Sequence, residues 1–200
     1  MRQVMRPGVL IPVGLVIVLV MGMGLYLFQP WRLFTNVEVR EAAPTSVSDL
    51  GSQAPEPSAP MPPTASATGG DEASSPSPTP IDAEPVVLAT GSLISHEHET
   101  TGEVTILKLP DGTRVLRFEG LQTSDGPDLK VWLSDQPVID GVDGWGVFDD
   151  GKYASLGDLK GNIGDQNYVI PADVDLDDFS AVSIWCERFA VSFGAAELRT

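Results

Sequence analysis

The last 115 residues of the chain, 86–200, consist of short segments rich in β-branched and aromatic residues, each bounded by turn residues. Alternation of apolar with other residues is clearest over 129–133 and 189–193, and residues 110–113 have the composition of a hairpin turn. No window of about 12 residues or more shows the pattern of an amphipathic helix. The segments therefore predict one all-β domain, an antiparallel β-sandwich or a barrel-like fold, with strands at residues 86–94, 103–109, 114–118, 129–133, 168–170, 181–186 and 189–193.

An apolar segment near the N-terminus predicts attachment to a membrane. Residues 8–28 are 21 consecutive uncharged residues, and a helix of this length measures about 31 Å, the thickness of a hydrocarbon core. The run is longer than the apolar part of a usual signal peptide, and no small-x-small cleavage site follows it closely. We expect an uncleaved signal anchor, with residues 1–7 in the cytoplasm, residues 8–28 as a single transmembrane helix through the cell membrane, residues 29–40 next to the membrane and the C-terminal domain extracytoplasmic.

The segment between the anchor and the β domain has the composition of a disordered linker. Residues 41–85 contain ten prolines, seven acidic residues and no basic residue. Such a stretch buries too little apolar surface to offset the entropy lost on ordering. As a flexible coil it would have an r.m.s. reach of about 40 Å, so we expect it to tether the domain away from the bilayer.

Charge and missing motifs exclude several classes of function. The β domain has 20 acidic and 8 basic residues, an excess of 12 negative charges, so nucleic acid is a poor partner. The carboxylates at 173–178 lack the glycine and the closing glutamate of an EF-hand loop, and we predict no metal site there. No Gly-x-Ser-x-Gly turn and no other hydrolase or transferase motif occurs, which leaves open whether the chain is an enzyme.

Cys186 is the only cysteine, so no disulfide can form within the chain. It alternates with Val182 and Ile184, which favours a buried thiol in the core. Arg188 would stabilise a thiolate, whereas Glu187 and the negative charge of the domain would oppose one. The residues alone leave two interpretations open, a small buried apolar side chain and a reactive group.

Several short motifs occur in an order that resembles one known family, the DM-thirteen domain. This family is described as an electron-transfer module and is found in some proteins beside DOMON domains. The resemblance covers almost all of residues 86–198, and residues 29–35 look like the membrane-proximal segment of membrane-anchored actinobacterial members. The one departure is Asp125, where asparagine is more usual. The matching motifs are 98–102 (HETTG), 123–131 (TSDGPDLKV), 156–162 (LGDLKGN), 164–168 (GDQNY), 170–171 (IP), 185–189 (WCERF) and 193–196 (FGAA).

The resemblance implies a redox role for Cys186, either as a bare thiol or as a ligand to a prosthetic group such as haem. All five methionines lie outside residues 86–200, so a His/Met pair of haem ligands cannot form in the β domain. A copper site from His96, His98 and Cys186 has suitable ligand types, but nothing in the sequence brings them together. Haem and copper are both disfavoured, and the cofactor stays unknown.

Eight further residues are candidates for a binding site, each with a structural alternative. Asp125 and Asp128 have the chemistry of turn residues as well as of ligands, and Trp185 suits a core as well as a binding platform. The remaining candidates are His98, which matches a family motif, the amides Asn162, Gln166 and Asn167, which would suit a polar ligand such as a glycan, and Arg188.

Two functions are predicted from this sequence. The first is a membrane-anchored extracytoplasmic redox module that acts through Cys186 on a redox partner protein. The second is a non-catalytic β-sandwich on the cell surface that binds a protein or a glycan polymer, with Cys186 buried in its core.

Overall fold

The computed structural model describes residues 7–28, 35–46, 49–50 and 84–200, with the side chains of the first range covered over 16–26. The elements are helix α1, Pro7–Phe28, and strands in two five-stranded sheets. The strands are β1 Glu38–Arg40, β2 Val86–Ser92, β3 Ile94–Ser95, β4 Thr101–Lys108, β5 Arg114–Gln122, β6 Leu129–Ser134, β7 Tyr153–Asp158, β8 Ile163–Ile170, β9 Ala181–Cys186 and β10 Val191–Glu197. Short 3₁₀ helices occupy Val142–Gly144 and Leu176–Asp178.

The two sheets pack as a β-sandwich, which confirms the predicted all-β class and selects the sandwich over the barrel. The first sheet has the order β1-β8-β5-β4-β2 and the second the order β3-β10-β9-β6-β7. Every pairing is antiparallel except that of β1 with β8, which is parallel.

The main core lies between the sheets and follows from the two-residue period of the strands. Val131 and Leu133 of β6 and Ile184 and Cys186 of β9 point into it and are fully buried or nearly so. Each fully buried Val, Leu, Ile or Phe contributes about 1.5–3 kcal/mol to folding. The other buried members of this core are Ala89, Leu93, Val104, Ile106, Leu116, Phe118, Leu121, Leu129, Tyr168, Ile170, Val182, Phe193 and Ala196.

A second apolar cluster occupies the opposite face of the second sheet. Trp132 and Trp185, which alternate with the core residues of β6 and β9, are 3% and 1% exposed. Phe148, from the connection between β6 and β7, packs on them, together with Ala181 and Ala195. This connection therefore shields an outer sheet face that would otherwise be open to water.

Strand β1 is an unexpected part of the sandwich, because it comes from the segment next to the predicted anchor. Glu38, Val39 and Arg40 pair in parallel with Ile163, Gly164 and Asp165 of β8. Residues 41–46, assigned by composition to the linker, continue from this strand, and Glu41 is only 8% exposed. We call residues 35–46 the N-terminal strap. The strap is short and polar, so it carries no periodic signal that sequence patterns could reveal.

Helix α1 occupies the segment predicted to span the membrane. Over the residues that the structure describes, no helix combines the length and the apolar character needed to cross a membrane. The remaining linker residues 47–48 and 51–83 and the membrane-proximal residues 29–34 lie outside the described residues. The location and orientation predicted from residues 8–28 therefore stay predictions.

Candidate redox site

Cys186 is the last residue of β9 and lies in the main core. It pairs with Leu129 of β6 on one side and with Val191 of β10 on the other. Its side chain has no exposed surface, and its thiol is free. β9 lies in the middle of the second sheet, between β10 and β6, and this position accounts for the burial of Cys186.

The surroundings of Cys186 favour the neutral thiol over the thiolate. Burial raises the pKa of the Cys186 thiol, and the negative charges of Asp128 and Glu97 act in the same direction. The backbone N–H groups of Phe189 and Arg188 partly oppose this shift. Because the thiolate is the nucleophilic form, Cys186 in this conformation is a poor nucleophile.

The chain becomes exposed directly after Cys186. Residues 187–190 form an exposed turn to β10, and Ala190 adopts a φ of 51°, a left-handed conformation that costs energy for a residue with a side chain. The Phe189 N–H donates to the Cys186 carbonyl at 3.3 Å, and the Glu187 N–H donates to the Asp128 carbonyl at 3.0 Å. The thiol is thus fully covered, although it lies one residue from a strained surface turn that contains the candidate Arg188.

The loop before β6 closes the same end of the sandwich. The Asp125 Oδ1 atom accepts from the Gly126 N–H at 2.8 Å, and Asp125 Oδ2 accepts from the Thr35 hydroxyl at 2.9 Å. A Cβ at Gly126 would lie 2.9 Å from Phe193 Cζ and 3.0 Å from Leu129 Cγ. Only glycine therefore lets this loop approach the core residues beside Cys186.

A cleft of about 540 Å³ lies on the outer side of this loop. Two predicted site residues, Asp125 and Asp128, line it, and Asp158 adds a third carboxylate. Lys130 donates to Asp158 and, at 3.1 Å, pairs with Asp128, and these hydrogen bonds raise the pKa of Lys130. The other lining residues are Thr35, Val37, Gly126, Pro127, Leu129, Leu159, Lys160 and Gly161.

The two histidines occupy separate environments near β10. The ring of His98 packs against Phe193 at a tilt of 33°, with centroids 3.9 Å apart, and His98 Nε2 lies 3.8 Å from a Glu97 carboxylate oxygen. His96 is 7% exposed, and its Nδ1 atom is 2.8 Å from the Ser192 hydroxyl. Burial lowers the pKa of His96. Among the described residues, no group of three or more His, Cys, Asp or Glu side chains is arranged to hold a metal ion.

The three candidate amides form hydrogen bonds with other parts of the chain. Asn162 Oδ1 accepts from the Val37 N–H at 2.7 Å, which ties it to the N-terminal strap. The Gln166 amide bonds both backbone groups of Gly161, and its Oε1 atom also accepts from the Tyr168 hydroxyl at 2.7 Å. These hydrogen bonds join parts of the chain to one another, and a binding role for the amides stays a prediction.

Asn167 and its neighbours fasten the other end of the N-terminal strap. The Asn167 side chain donates to the Ala42 carbonyl at 2.9 Å, and its backbone N–H donates to Glu41 Oε2 at 2.6 Å. Lys160 Nζ lies 2.7 Å from Glu41 Oε1, and Arg117 donates to the Glu41 carbonyl at 3.0 Å. The buried carboxylate of Glu41 is therefore paired with a cation and bonded to the backbone.

Trp185 belongs to an aromatic stack on the far side of the sheet from the Cys186 thiol. Its ring lies 5.1 Å from that of Trp132, and Trp132 lies 3.9 Å from Tyr153 at an interplanar angle of 7°. Tyr153 is 49% exposed. Sequence patterns missed Tyr153, because its contact with Trp132 depends on the pairing of β7 with β6.

Fold and site together define an all-β sandwich domain with one thiol buried at the end of a central strand. A family model described as electron transfer DM13 matches residues 92–198, more than half of the 200-residue chain. The chain belongs to the electron transfer DM13 family, which confirms the resemblance seen in its motifs. No curated protein and no solved structure matches the chain.

Proposed function

We propose that this chain is a membrane-anchored extracytoplasmic electron-transfer protein in which Cys186 is the redox-active group. The family match supports the electron-transfer class. The observation that carries the assignment to Cys186 is its position: the one sulfur atom of residues 84–200 lies at the end of β9, between the exposed 187–190 turn and the 125–129 loop. Aromatic rings that lead from the surface to Trp185, the residue before Cys186, support the same assignment.

Burial favours one-electron transfer over thiol exchange. A mixed disulfide needs a thiolate and an open approach to Sγ, and Cys186 has a raised pKa and no exposed surface. In the proposed reaction the Cys186 thiol gives one electron to a one-electron metal centre of a partner protein, and its proton passes to water that enters when the exposed 187–190 turn opens. The reverse reaction restores the thiol.

The apolar segment 8–28 supports the membrane part of the proposal. Its 21 uncharged residues suit a signal anchor, with the N-terminus in the cytoplasm and the sandwich on the other side. The partner in this proposal is a redox protein of the same compartment.

A second candidate function is a non-catalytic module that binds a surface protein or glycan. The complete burial of Cys186 in an apolar cluster favours this candidate, because free cysteine is also an ordinary core residue. The 540 Å³ cleft beside Asp125 and Asp128 would then be the binding site.

Protein-film voltammetry of the full chain separates the two functions. We expect the wild-type protein to give a reversible one-electron wave that is absent from Cys186→Ala. Alkylation of the folded and unfolded proteins serves as a control that the thiol is buried in the sample. Equal currents from the wild type and from Cys186→Ala would contradict a redox role for Cys186 and favour the binding module.

A further inference from the structure

Three aromatic rings form a continuous path from the surface of the second sheet to the residue before Cys186. Tyr153 is 49% exposed, Trp132 is 3% exposed and Trp185 is 1% exposed. The ring centroids of Tyr153 and Trp132 are 3.9 Å apart, and the two rings are nearly parallel, with an interplanar angle of 7°. The centroids of Trp132 and Trp185 are 5.1 Å apart. Trp185 is joined to Cys186 by a single peptide bond.

We propose that Tyr153, Trp132 and Trp185 form an electron relay between a partner docked at the β7 edge and Cys186. The relay rests on the proposed function, since it supplies the route that a fully buried thiol needs. Tyrosine and tryptophan are the standard side chains that can lose one electron reversibly, and electron tunnelling slows exponentially with distance. Ring contact from Tyr153 to Trp132 and from Trp132 to Trp185 therefore favours short hops over one long transfer. The last step, from Trp185 on the outer face to Cys186 on the inner face, runs through the backbone that joins these consecutive residues.

The electron and proton balance is simple. A one-electron metal centre on the partner removes an electron from the stacked Tyr153–Trp132 pair. Trp185 then gives an electron to the oxidised pair. The last electron comes from the Cys186 thiol, whose proton passes to water when the exposed 187–190 turn opens. One electron from the thiol therefore reaches the metal centre each time the relay operates. No other atom is transferred.

The surroundings of Trp132 favour electron transfer from Trp185 to oxidised Trp132. Its indole Nε1 atom is buried and has no hydrogen-bond partner in the part of the chain that the structure describes. Oxidised Trp132 therefore has no neighbouring acceptor for its proton and stays a radical cation. A radical cation is a strong oxidant and can take an electron from Trp185, whereas a deprotonated neutral radical is a weaker oxidant and would stay at Trp132.

The position of β7 explains where a partner would dock. β7 is an edge strand of its sheet, next to β6, and Tyr153 is its first residue. Exposed carboxylates lie just before this strand, at Asp149 and Asp150, and at its last residue, Asp158. The relay therefore opens on an acidic edge, which fits a partner with a basic surface around its metal centre.

The test uses a photo-generated ruthenium(III) tris(bipyridine) ion as the external oxidant of the full chain. Mass spectrometry then measures oxidation products of Trp185, and thiol titration after unfolding measures loss of the Cys186 thiol. We expect both residues to be oxidised in the wild type although neither is accessible. Tyr153→Phe and Trp132→Phe should lower both yields several-fold, because phenylalanine keeps a ring but does not give up an electron.

Two controls separate a relay from a packing effect. Trp132→Tyr restores a ring that can be oxidised and should recover most of the yield, whereas Trp145→Phe makes the same change outside the stack and should leave the yield at the wild-type level. Oxidation of Trp185 that persists unchanged in Trp132→Phe would overturn the relay. Oxidation of Trp185 with an intact Cys186 thiol would keep the relay and instead contradict the proposed function of Cys186.

Discussion

Cys186 shares one face of β9 with Val182 and Ile184, and all three are completely buried. The alternation of these residues in the sequence already favoured that burial. What alternation could not reveal is the other face of the strand, where Trp185 contacts Trp132 of β6. The contact depends on the register between β6 and β9, which pairs residues about 50 positions apart, and no local pattern contains that information.

Substitution of Cys186 should show how apolar its surroundings are. Cys186→Ala removes one buried atom and should lower the free energy of unfolding by about 1 kcal/mol. Cys186→Ser places a hydroxyl group in the same apolar cluster and should cost about 1–3 kcal/mol, because a buried donor without a partner loses its hydrogen bonds to water. Urea unfolding of the three proteins measures both values. A serine variant as stable as the alanine variant would indicate a polar or hydrated pocket around Sγ.

His96 should make the fold sensitive to mild acid. Burial lowers its pKa in the folded state, so the unfolded chain takes up the proton first as the pH falls below the ordinary histidine value of about 6.5. The contribution to stability is therefore complete above that value and is lost as the pH falls through the folded-state pKa. Unfolding free energies at about pH 7.5 and pH 5 should fall more steeply for the wild type than for His96→Gln. Parallel slopes would contradict this role.

At the level of whole strands, the sequence patterns found the elements that form the main core and missed those that do not. β5, β6 and β9 contain runs of buried apolar residues and were predicted within a few residues of their observed bounds. β7 is mostly exposed or half-buried, and β1 has only three residues. These strands form because neighbouring strands offer free edges, which is a property of the assembled sheet.

The methyl group added by Gly161→Ala should detach the N-terminal strap from β8. A Cβ at Gly161 would lie 2.4 Å from the Val37 carbonyl oxygen and 2.7 Å from Val39 Cγ2, and all of its nearest contacts belong to the strap. Gly161→Ala should therefore speed hydrogen exchange of residues 37–41 while the core strands keep their protection. The amide of Glu41, which donates to the Asp165 carbonyl at 3.0 Å, is a direct reporter.

Gly146→Ala is the matched control for this experiment. A Cβ at Gly146 would meet no atom within 4 Å, and its φ lies outside the left-handed region. Exchange of the strap in this variant should equal that of the wild type. Wild-type exchange in Gly161→Ala as well would show that the strap is not held against β8 in solution.

For the whole molecule, the strap determines whether the long Pro-rich segment sets the distance between the sandwich and the bilayer. Residues 35–46 lie against the sandwich, and the β domain follows from residue 84. Only residues 29–34 separate the end of α1 from the strap, and a chain of that length spans at most about 25 Å. If residues 8–28 anchor the protein as proposed, the sandwich is held near the bilayer, because the strap bypasses the linker that composition alone assigned as a tether.

Energy transfer between the domain and the lipid tests this geometry. The full chain with Thr200→Cys is labelled at its C-terminus, since Cys186 is buried and should label slowly, and is placed in vesicles that contain an acceptor lipid. We expect efficient transfer for the wild-type strap and for Gly146→Ala. Gly161→Ala should lower the efficiency, because the linker then adds its reach of about 40 Å to the distance. Equal efficiencies in the two glycine variants would show that the strap does not set the height of the domain, and the redox partner would then meet Tyr153 at a distance governed by the linker.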